Sequence, residues 1–199
     1  MPSAFCALAL VTLAAGSAGT TDDTKLTNGR PLASQPAATP DAATTEGFRM
    51  IALMSNSFQL QASELAATRA HDPTVRRYAQ EMIPIHERST SKLTTGPAGG
   101  SDQSDVAVVT AAAKGVRAPL DASLQGLLDE LIAAPPGPAF DTAFGATQVK
   151  AHRMVIEAYE TYLRTGTNPA VKAFVSESLP MMKDNAVRAA ALPGGTPGR

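Results

Sequence analysis

Three observations predict an all-α protein, an antiparallel four-helix bundle made of two quasi-repeated helical hairpins with extra short helices in the connection between them. The stretch HDPTVRRYAQEMIPIH (71–86) returns as TNPAVKAFVSESLPMM (167–182), 96 positions later. Two proline-free runs, 47–70 and 141–164, lead into the two copies. The composition, 44% hydrophobic and 18% charged, suits a chain with one packed core.

In chain order, residues 47–70 (GFRMIALMSNSFQLQASELAATRA) form a run long for a soluble helix but normal for a bundle. Asp72 then reads as a helix cap, its carboxylate placed to accept from first-turn N–H groups, and Pro73 stands at the first helical position, where no donor is lost. Val75, Tyr78, Ala79, Met82 and His86 follow at spacings of three and four, one stripe to bury. TTGPAGGSDQS (94–104) is a loop, DVAVVTAAAKGV a short helix, and PLDASLQGLLDELIAA (119–134) a better one, capped by Asp121 with Leu124, Leu127, Leu128 and Leu131 as its stripe. PPGPAF ends that helix and launches the long run 141–164, which carries Phe144 where the first hairpin has Phe48. Asn168 and Pro169 repeat the cap and proline, and Val171, Phe174, Val175 and Ser178 repeat the stripe. Pro84 and Pro180 fall inside their helices, where each removes a backbone bond and favours a kink. Two hairpins with one apolar face each bury those faces best against each other, whereas a solenoid needs three or more units.

The ends are different text. MPSAFCALALVTLAAGSAGT (1–20) has an apolar run from Ala4 to Ala15 and small residues around Ala18, the marks of a signal peptide, although it lacks a basic start. Export from the cytoplasm is the expectation, with no transmembrane span in the mature chain. Cys6, the sole cysteine, falls in this segment, so the mature chain would offer neither a disulfide nor a catalytic thiol. Residues 21–46 hold almost no large apolar side chain and read as a disordered linker, 47–192 as the folded domain, and 193–199 as a disordered tail. A net charge of -1, no basic run, 5% aromatics and no Trp argue against a nucleic-acid partner. No phosphate-cradling glycine loop and no serine nucleophile elbow is visible.

DPTVRRYAQEM with His86, LDASLQGLLDEL, AFDTAFGATQVKAH and NPAVKAF followed by LP resemble the bacterial domain of unknown function 4142, a family of exported proteins assigned to the ferritin-like superfamily. The resemblance covers residues 47 to about 191, and Phe140, Asp141, Phe144, Gln148, Val149 and His152 carry its most specific part. It implies a ferritin-like helical bundle, periplasmic or associated with the outer membrane, with no established reaction.

Ferritin-like bundles often hold two metal ions, which need carboxylates from two helices and a Glu-x-x-His pair from each of the others. The residues three before His71, His86 and His152 are Thr68, Ile83 and Val149, so the chain has no such pair. The family pattern also implies an acid before His86, a Glu near Gln59 and a His near Asn185; here Ile85, Gln59 and Asn185 stand there. Two readings follow. In one, His86 and His152 form a reduced metal site with a carboxylate such as Glu81, Glu157 or Glu64. In the other, each imidazole sits in the core and bonds a backbone carbonyl or a neighbouring Gln or Asn. Gln59, His86, His152 and Asn185 are expected to cluster loosely inside the bundle in either case, with His71 on loop surface. Glu81 and Glu177, equivalent in the repeat, either face each other as ligands or pair with Arg77 and Lys172 on solvated faces. The methionines read as core filler before copper ligands. The function favoured is a non-catalytic exported bundle without a cofactor, acting on a protein or envelope partner in envelope or stress physiology. The alternative is a metal-binding or ferroxidase-like protein carrying iron, zinc or manganese.

Overall fold

The structure is a computed structural model that describes residues 40–96, 98 and 106–196. The expected signal segment, most of the 21–46 linker and residues 197–199 lie outside the described residues, which all belong to one compact unit spanning Pro36–Arg199. Among the described residues the chain forms six helices and no strand: α1 (Thr45–Arg69), α2 (Pro73–Thr94), α3 (Val106–Ala113), α4 (Ala122–Ala133), α5 (Pro138–Thr165) and α6 (Pro169–Ala190). The described part of the chain is all-α.

Local chemistry accounts for the starts. Thr44 accepts from the Gly47 amide, Asp72 from Thr74, Asp121 from Leu124, and Asn168 from Ala170 and Val171. α5 has no side-chain cap; Gly137 enters it at φ +104, a conformation that favours glycine, and Pro138 takes the first position. The 96-residue shift holds in the element bounds. α2 begins at Pro73 and ends at Thr94, α6 begins at Pro169 and ends at Ala190, and α1 and α5 end at Arg69 and Thr165. Pro84 and Pro180 sit exposed within helices that continue through them.

α1 packs along α2, α5 along α6, and the two hairpins meet through α1 and α5; α4 lies against both α1 and α5, and α3 against α2. Tyr78 and Phe174, equivalent in the repeat, are both buried, as are Phe48 and Phe144. The Phe48 ring lies 4.8 Å from that of Tyr159 and 4.6 Å from that of Tyr162, and Tyr78 meets Phe144 edge to face at 6.1 Å.

Polar anchors fix the turns. The Asp141 carboxylate, buried on α5, accepts from the backbone amides of His71 at 3.0 Å and Asp72 at 2.9 Å, locking the α1–α2 link onto the second hairpin. Arg49, fully buried on α1, donates from Nε to the Ala98 carbonyl at 2.6 Å. Arg69 Nη1 donates to the Ile132 carbonyl at 2.7 Å and so satisfies the end of α4.

Residues 193–196, which begin the segment read as a tail, turn back against α5. Leu192 is buried, Gly195 donates back to the Leu192 carbonyl, and the Pro193 carbonyl packs where a Cβ on Gly145 would stand. Gly194 adopts φ +74 directly against the Thr142 carbonyl. Absence of side chains at glycine lets two backbones meet, an attraction that a count of apolar residues does not register.

Candidate functional site

The interior is not uniformly apolar. His86 on α2 and His152 on α5 are 5% and 2% exposed, and they line one cavity together with Gln59 of α1 and Asn185 of α6. The cavity has room of about 10 Å³, one water-sized sphere and no more. The four helices thus deliver the residues expected to cluster.

The donor state of each imidazole follows from its partners. His152 Nδ1 lies 2.9 Å from the Gln148 carbonyl one turn back, which can only accept, so Nδ1 carries the proton. His86 Nδ1 lies 2.9 Å from Asn56 Oδ1, and the Asn56 amide donates onward to Ser89 Oγ at 3.1 Å, so His86 Nδ1 also donates. Burial drives the His86 pKa down to about 3, with the nearby His152 adding to the effect, and burial lowers His152 against the opposing pull of the Gln148 bond. Both rings are therefore neutral near pH 7, each with its lone pair on Nε2. His86 Nε2 is buried with no hydrogen-bond partner, and the same holds for both amide atoms of Gln59 and of Gln148.

The carboxylates named as possible ligands lie elsewhere. Glu81 is exposed and pairs with Arg188 of α6; Glu64 is exposed and pairs with Arg117; Glu157 borders an open groove between α5 and α6 lined by Val149, Ile156 and Val187. Glu81 and Glu177 do lie on solvated faces, but their partners are not Arg77 and Lys172. Glu177 bonds Lys92 at 2.6 Å, and Lys92 plus 96 is Arg188, so the two ion pairs between α2 and α6 are reciprocal under the repeat. His71 is exposed at the α1–α2 link. Met50, Met54 and Met82 pack in or against the core, whereas Met154 and Met181 are 37% and 39% exposed. Among the described residues no group of three or more His, Cys, Asp or Glu is placed to hold a metal ion.

Residues of this centre missed from the sequence are Asn56 and Ser89, and Met182 reads there only as core filler. The repeat itself could have found them: Asn56 is equivalent to His152, Met182 to His86, and Ser89 to Asn185. Gln59 and Val155, Ile85 and Met181, His86 and Met182, and Ser89 and Asn185 are four equivalent pairs that line the one cavity. That pairing places the cavity at the centre of the duplication, where a single side chain in one half answers a different one in the other.

The fold and site define a class of all-helical protein with two related hairpins around a small, carboxylate-free polar centre. Residues 30–192 match the domain of unknown function (DUF4142), and the chain belongs to that family. No curated protein and no solved structure matches the chain. No described helix is long and apolar enough to cross a membrane.

Proposed function

We propose that this chain is an exported, ferritin-like antiparallel four-helix bundle that works by binding in the cell envelope and not by catalysis. The packing of α1 on α2, α5 on α6 and α1 on α5 supports the bundle, and the apolar run Ala4–Ala15 supports export. One observation carries the non-catalytic reading. The side chains that line the central cavity from four helices are two imidazoles, amides, hydroxyls, aliphatic groups and the thioethers of Met181 and Met182, with no carboxylate among them. Asp141, the buried carboxylate among the described residues, is committed to two backbone amides at the α1–α2 link.

A di-iron centre of the kind the ferritin-like resemblance implies does not fit this donor set, because hard ferric ions need carboxylate oxygens to offset their charge. Two measurements test the proposal. Fractionation of cells producing the full chain should place a shortened product outside the cytoplasm, and the purified protein should not accelerate oxidation of Fe(II) by oxygen. An unprocessed cytoplasmic product would defeat the export part, and iron oxidation lost in His86→Gln would defeat the binding part.

A further inference from the structure

The polar centre has a chemistry more specific than a buried network. His86 and His152 each commit Nδ1–H to an oxygen acceptor, the arrangement by which a protein fixes an imidazole so that Nε2 presents its lone pair to a metal. His86 Nε2 is fully buried with no partner, and the ring lines a cavity that admits one atom-sized guest and excludes any organic ligand. Met182, 5% exposed, lines the same cavity at the position equivalent to His86, so the two halves contribute an imidazole and a thioether to one cavity wall.

Charge selects among guests. No carboxylate faces the cavity, so an incoming cation keeps its whole charge in the core. The transfer cost rises with the square of that charge and is about fourfold larger for a divalent ion than for a monovalent one. Softness selects further, since a thioether beside imidazoles favours Cu(I) over Zn(II), Fe(II) or Mn(II). Alkali ions would find only the neutral oxygens of Gln59, Asn185 and the serines in this lining, and would gain nothing from the imidazole nitrogens and the thioether.

We propose that this cavity binds one soft monovalent cation, Cu(I) or its redox-inert analogue Ag(I), through Nε2 of His86, Nε2 of His152 and the thioether of Met182. The inference rests on the binding, non-catalytic reading and names its ligand. Occupation would also give the buried His86 Nε2 the partner it lacks among protein atoms.

The test uses the full chain without an affinity tag, with Cys6→Ser to remove the one thiol that would compete for Cu(I). Under anaerobic reducing conditions, Cu(I) is titrated against a chromophoric chelator, and Ag(I) is followed by calorimetry and by the imidazole nitrogen NMR spectrum. One equivalent should bind, and both Nε2 resonances should shift while the Nδ1 resonances stay near their metal-free positions. His86→Gln, His152→Gln and Met182→Leu should each weaken binding by at least about tenfold, with His71→Gln unchanged and Zn(II) showing no saturable uptake in the same range. Helicity and the unfolding midpoint of each cation-free variant identify any that fail to fold, and Met182→Leu preserves volume. Nε2 resonances that ignore Ag(I), uptake indifferent to the histidine variants, or Zn(II) bound as tightly as Cu(I) would each overturn the assignment. Oxidation of Fe(II) by the same preparation would instead overturn the non-catalytic reading, so the two failures are separable.

Discussion

Lowering the pH should destabilise this protein well before its carboxylates titrate, and the cause should be traceable to His86. Its imidazole is neutral in the folded chain, with a pKa of about 3, and has an ordinary value of 6.5 when unfolded. Between these values the unfolded chain binds a proton that the folded chain refuses, so stability is fully present above pH 6.5 and is lost as pH falls toward 3. Linkage gives about 1.4 kcal/mol per pH unit once well below 6.5, hence a loss of about 2 kcal/mol between pH 7.5 and pH 5 from His86 alone. His152, also lowered by burial, adds in the same direction. Asp72 and Glu160 are held below the ordinary carboxylate range by hydrogen bonds to Thr74 and Lys183 respectively, so their losses fall at lower pH and leave the window from 7 to 5 to the histidines. Urea unfolding at half-unit pH steps, with chelator present to keep the protein metal-free, measures the slope. His86→Gln should flatten it by about half and the double variant with His152→Gln almost entirely, even if both are less stable at pH 7.5 by about 1–3 kcal/mol. Equal slopes in wild type and double variant would refute the burial argument.

Other perturbations have defined outcomes. Asp141→Ala strips the His71 and Asp72 amides of their acceptor and should cost about 2–4 kcal/mol by denaturant unfolding, whereas Asp141→Asn, which keeps one oxygen, should cost less. Glu81→Gln and Glu177→Gln break ion pairs between half-exposed groups, and each should change stability by less than about 1 kcal/mol, an effect that fades in high salt. Gly145→Ala sets a methyl group against the Pro193 carbonyl, so the 192–196 turn should detach and carboxypeptidase should trim the end faster than in wild type. A Gly145→Ala protein trimmed at the wild-type rate would show that this contact does not hold the turn.

The sequence alone determined the helices, because their signals are local. A cap and a proline within three residues fix where α2 and α6 begin, and stripes at three and four select Val75, Tyr78, Val171 and Phe174 for burial. It also brought His86 and His152 forward, the first by its place on the stripe of the second long helix and the second through the family resemblance of the 140–152 segment. Which charges meet was decided only by tertiary structure: Glu81 reaches Arg188 across two helices instead of Arg77 on its own, because interhelical spacing and not sequence distance sets the partner. The same is true of Asp141, legible as a specific residue of the 140–152 motif but not as the acceptor for an amide 70 residues away. Whether the two imidazoles are charged was equally beyond the sequence. A histidine becomes neutral or cationic through the water it loses and the neighbours it gains, and here four helices from two related halves remove the water and supply an amide, a carbonyl and a thioether in place of a carboxylate.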